Sequence, residues 1–93
     1  MWRREILTVR VFRNKPGDLG IPDFPLSAAA ADDPEQSAME LLKGQHLNRQ
    51  QPIYKTPTQA QLVGEGGRLI SEFQMTPTGP QKVREDLSVG SGP

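Results

Sequence analysis

The side chains able to do chemistry are few in this chain, and they are scattered. His46 is the only histidine, and there is no cysteine. A zinc or copper centre needs several nitrogen and sulfur ligands, and one histidine with its nearest carboxylate, Glu40, does not supply them. Acid–base work by His46 would need a nucleophile and an orienting group, and no spacing nominates either, so His46 reads as an exposed loop histidine. Asp32, Asp33 and Glu35 form a carboxylate cluster, but the alternating ligands of a calcium loop are missing. Their place just before an apolar run explains them as helix-capping residues. Gly64-Glu65-Gly66-Gly67 lacks the Gly-Lys-Ser/Thr ending of a phosphate loop, and Glu65 would repel phosphate. It reads as a turn. The expectation is a protein that is not an enzyme, with no catalytic residue, metal, cofactor or small-molecule substrate.

The basic residues carry a second kind of chemistry. Arg3, Arg4, Arg10, Arg13 and Lys15 place five of the 11 basic residues in the first fifteen positions. With Trp2 and Phe12 they combine cations and aromatic rings, the ingredients of single-strand nucleic-acid binding. Strand alternation divides them, however: Arg10 shares a face with Ile6 and Phe12, and Arg13 belongs to the opposite one. Between residues 16 and 42 the sign reverses, with six acids and no Lys or Arg, and basic residues return at Lys43. Such segregation suits a basic strand lying near an acidic segment of the same chain or of a neighbouring copy. The net charge is zero, so no overall attraction to nucleic acid or anionic lipid arises.

The elements that would position these groups follow from periodicity and punctuation. Residues 5–13 alternate as a strand: Leu7, Val9 and Val11 point one way, and Ile6, Thr8, Arg10 and Phe12 the other. Pro16-Gly17 ends it in a turn. Ile21, Phe24 and Leu26 follow as apolar anchors between prolines, with a short edge strand near Phe24. A helix begins with Asp33 as cap, Pro34 in the first position and Gln36 in capping-box position. Its apolar stripe is Ala38, Leu41 and Leu42 with Met39 beside them, and Gly44 is the expected stop. Ser27 is an alternative cap that would extend the helix backward through Ala28–Ala31. Residues 52–57 are bracketed by prolines and read as extended. Gln59–Val63 and residues 68–75 flank the glycine cluster as a hairpin, with Leu69, Phe73 and Met75 on one face. Leu69, Ile70 and Phe73 also fit a helical spacing, but the glycines favour the hairpin.

A chain of 93 residues is one domain at most and buries roughly 60–65% of its unfolded surface. The expected fold is α+β: a small antiparallel or mixed sheet, built from the N-terminal strand and a C-terminal hairpin, with one short helix and long Pro/Gly-rich irregular segments. The domain is expected over residues 1–75, with 76–93 as an extended or flexible arm. No apolar run approaches the roughly 20 residues of a membrane span, and no signal peptide is evident, so the expected setting is the cytoplasm or a particle assembled there. The missing catalytic constellation and the proline-spaced anchors point to a structural, assembly or accessory subunit. Its partner would be another protein or another copy of itself, met through Ile6, Phe12, Phe24 and Tyr54. The alternative is a nucleic-acid module using Arg3, Arg4, Arg10, Arg13 and Lys15.

Overall fold

The β-branched run near the N-terminus forms β1 (Thr8–Phe12), and the rest of the sheet assembles around it. The structure, a computed structural model, describes residues 6–27, 29–48 and 52–85. The remaining strands are β2 (Phe24–Pro25), β3 (Gln59–Val63), β4 (Leu69–Thr76) and β5 (Gly79–Glu85). They form one sheet in the order β2-β1-β3-β4-β5, and every pairing is antiparallel. One helix, α1 (Pro34–His46), covers a single face, so the fold is α+β.

The covered face follows from register. Val9 pairs with Leu62 and Val11 with Ala60, while Ala60 and Leu62 pair with Phe73 and Ser71. Cross-strand partners share a face. Ala38 and Leu42, four apart on α1, lie over it, and Val9, Ala38, Leu42, Ala60 and Phe73 are fully buried. Leu7, Ile21, Phe24, Leu26, Met39, Leu41, Ile70 and Met75 pack around this core. The proline-spaced anchors of residues 21–26 therefore close its edge. The opposite face carries Thr8, Arg10, Gln59, Gln61, Glu72 and Gln74, in register. Gln61 donates to Glu72 at 3.0 Å across that polar surface.

The helix start is built as the residue types dictate. Asp33 accepts a hydrogen bond from the Gln36 N–H at 3.3 Å, and Pro34 occupies the first turn. The other half of the capping box is absent. The Asp33 N–H already donates to the Ala30 carbonyl, and the Gln36 amide turns to Glu40 instead. Ser27 does not cap α1; its hydroxyl accepts the Ala30 N–H at 3.2 Å at the start of a separate 3-10 turn, Ala30–Asp32. Pro34 holds Asp33 at φ −139°, ψ 76°, which keeps the two pieces apart.

Three expectations are corrected. The helix does not stop at Gly44 but runs to His46, which lies in its last turn and not in a loop. The His46 Nδ1 meets the Pro57 carbonyl at 2.9 Å; a carbonyl only accepts, so Nδ1 carries the proton. Residues 79–85, expected in an arm, are a fifth strand. Pro77 and Thr78 make the turn, the Thr76 hydroxyl donates to the Gly79 carbonyl at 2.7 Å, and Gly79 takes φ +120°. Residues 86–93 lie outside the described residues. Third, the pairing skips Ile70, since Leu62 faces Ser71 and Val63 faces Leu69. This bulge sends Ile70 into the core in place of Leu69. A second bulge falls at Val83, between the Glu72–Arg84 and Phe73–Lys82 pairs.

The core of so small a domain has little redundancy. Phe73→Ala should cost about 3–5 kcal/mol, a large part of a total of about 5–15 kcal/mol. Gln74→Ala, one residue on and exposed, should stay within about 0.5 kcal/mol. Urea unfolding of the two variants checks both values.

Candidate interaction surface

Four of the expected site residues are engaged inside the fold. Phe12 is only 2% exposed, so its side chain is not available to a partner. Its backbone is engaged too, since the Thr58 N–H donates to the Phe12 carbonyl at 3.0 Å. Phe24 pairs with Val9 and packs on the core, which removes it from the partner-facing set as well. Arg13 spends its guanidinium on the carbonyls of Ile53 and Thr56, at 3.1 and 3.0 Å. Arg10, in the middle of β1, pairs with Asp23, Nε to Oδ2 at 3.2 Å. The basic strand thus does not present Arg10, Arg13 and Lys15 as one patch. Arg3 and Arg4 lie outside the described residues.

Ile6 and Tyr54 do reach solvent, at opposite ends of the sheet. Ile6 borders an open cleft of about 430 Å³ with Thr8, Arg10, Asp23 and the glycine turn. In that turn Gly66 and Gly67 adopt φ of +76° and +78°, which favours glycine, and Gly67 N–H donates to the Gly64 carbonyl at 3.1 Å. The Glu65 carboxylate accepts the Ile6 N–H at 3.3 Å, and Arg10 and Asp23 bind each other. The charges that line the cleft are therefore used in holding its walls together. Among the described residues no group of three or more His, Asp or Glu could hold a metal ion, and no helix is long and apolar enough to cross a membrane.

The other end is built differently. Residues 52–57 make a 3-10 turn, Ile53–Lys55, between two prolines. Four contacts pin it: Lys55 N–H to the Pro52 carbonyl at 2.8 Å, the Thr56 hydroxyl to the same carbonyl at 3.2 Å, and the two Arg13 bonds. The His46–Pro57 bond brings the end of α1 to this turn. Here the largest apolar side chains face water: Ile53 is 80% exposed, Tyr54 67% and Leu47, just past the helix, 59%. Sequence reading found Tyr54 but missed Ile53 and Leu47. The pairing of Ile53 with Tyr54 between prolines was the available signal, whereas Leu47 was hidden by the misplaced helix stop at Gly44.

One more group has a role that its type alone did not show. Glu35 was expected only to cap the helix. It also accepts the buried Ser71 hydroxyl at 2.7 Å and meets Lys82 Nζ at 3.2 Å, tying the first turn of α1 to β4 and β5. The Ser71 hydroxyl, and then Lys82, outweigh desolvation and hold the Glu35 carboxyl below its ordinary value. Glu85 and Glu35 together push the Lys82 ammonium up. At Asp18, desolvation is the largest single influence and pushes the carboxyl up, but the backbone N–H groups of Asn14, Arg13, Lys15 and Leu19 together outweigh it, so its carboxyl is also lowered.

No family model, curated protein or solved structure matches the chain.

A lowered carboxyl pKa in the folded state favours folding above the unfolded value and loses that advantage as pH falls through the lowered one. Stability should therefore decline as pH drops below about 4.5. Glu35→Gln should be less stable than the parent at pH 7 and should show a shallower acid decline. Urea titrations at neutral and acid pH read both effects. An unchanged acid slope in the variant would remove Glu35 from this account.

Proposed function

We propose that the chain is a non-enzymatic accessory or assembly subunit that binds another protein through the end of the molecule carrying Leu47, Ile53 and Tyr54. One observation carries this reading: Ile53 and Tyr54 are held out in water by a turn that the rest of the chain keeps fixed. Large exposed apolar side chains lose hydration cost when covered, at roughly 25 cal/mol per Å². A turn between prolines, bonded to Arg13, has little conformational freedom left to lose on binding. Tyrosine is also among the residues that dominate binding energy when a partner covers them.

The alternative, nucleic-acid binding by the N-terminal strand, would rest on Arg10 and Arg13. Both are engaged within the chain, so protein binding is the better-supported reading.

Photo-crosslinking tests it directly. With p-benzoylphenylalanine in place of Tyr54, irradiation in the native cells should give protein adducts of higher mass. The same probe in place of Gln74, exposed on the polar face, should give far fewer. Equal yields at the two positions would overturn the proposal.

A further inference from the structure

The apolar end of the molecule is also its cationic end, and this bears on the kind of partner it fits. Between residues 41 and 64 the chain has no acidic residue. The fold brings part of that span, with Lys43 in the last turn of α1 and Lys55 in the 3-10 turn, to the exit of β1 and Lys15. All three lysines are exposed. The acids near them are fewer than the cations: Asp18 lies in the same turn as Lys15 and Glu40 one turn before Lys43, against the three lysines and Arg13. Asp18, in the turn after β1, accepts the backbone N–H groups of Arg13, Asn14 and Lys15 at 2.8–3.4 Å. Asp23 holds Arg10, in the middle of β1, and Glu35 holds Lys82 at the far end of the helix. A neutral chain is thus folded so that the part carrying the exposed Leu47, Ile53 and Tyr54 holds more cations than carboxylates.

We infer that the partner of this end is an acidic protein segment with apolar anchors: Asp or Glu residues flanking bulky aliphatic or aromatic ones. The anchors would cover Leu47, Ile53 and Tyr54, and the carboxylates would meet Lys15, Lys43 and Lys55. The inference rests on the protein-binding reading above and adds the sign of the partner's charge. A protein segment fits better than a nucleic acid, because the patch offers one aromatic ring and two aliphatic side chains, whereas successive bases need successive stacking platforms. It fits better than a lipid surface, because the apolar residues sit on a short pinned turn and not along an amphipathic helix that could lie in a membrane.

Selection from a random peptide library displayed on phage tests this with the full chain as bait. Counter-selection uses the double variant Ile53→Asp, Tyr54→Ala, whose circular dichroism and melting should match the parent because both side chains are exposed. Peptides enriched on the parent alone should carry Asp or Glu around Leu, Ile, Phe or Trp. A synthetic peptide of the winning sequence should bind about tenfold more weakly to Lys43→Glu, Lys55→Glu, since two attractive exposed pairs are lost and become repulsive. Its affinity should fall with added salt. Enriched peptides that are neutral or basic, or charge reversal without effect, would overturn the acidic-partner inference while leaving the protein-binding reading standing. Failure to enrich any peptide over the double variant would overturn both. So would binding of phosphatidylserine vesicles or single-stranded RNA that the double variant loses, with no peptide enriched.

Discussion

A single short helix has one apolar stripe, and that limit governs the whole molecule. The stripe of α1, centred on Ala38 and Leu42, can close one face of a sheet and no more. The sheet answers by being apolar on that face and glutamine-rich on the other. β1 and β3 are the exceptions, because Phe12 and Val63 stand on that second face. Both strands lie inside the sheet, β1 between β2 and β3 and β3 between β1 and β4, and both side chains are buried. The proline-spaced segment 21–26 packs where the helix does not reach.

Holding the helix to the sheet then falls to its ends. Glu35 ties the first turn to Ser71 and Lys82, and His46 ties the last to Pro57. Because Ser71 is buried, its hydroxyl needs a partner, and the helix supplies one. The sheet edges are blunted by other means. β2 is two residues long and contains a proline, while β5 carries Lys82, Arg84 and Glu85 with a bulge at Val83. These features disfavour pairing with a further strand. They leave the ends of the molecule, more than its edges, as the places for contact with other molecules.

Charge follows the same logic. Asp18, Asp23 and Glu35 are each used to fasten one part of the chain to another. The lysines near the C-terminal end of α1 are not used in this way, so that end keeps its positive character. A chain with no net charge thereby acquires a polar axis, with an apolar group at its cationic end.

The local elements were legible in the residues themselves. Alternation placed β1, Asp33-Pro34 placed the helix start, and the glycine cluster placed the β3–β4 hairpin, because each depends on backbone preferences that neighbours in sequence set. Where helix α1 ends, what residues 79–85 do and which of Leu69 and Ile70 enters the core depend on partners far along the chain: Pro57, β4 and β3. Low-apolarity segments such as β5 carry no periodic signal, since their strand geometry comes from the ladder they join. The candidate surface divides in the same way. That Tyr54 lies between prolines is a property of the sequence. That Ile53, Tyr54 and Leu47 stay in water, while Phe12 and Phe24 do not, is decided by tertiary packing, because burial depends on what the rest of the chain has left to cover them.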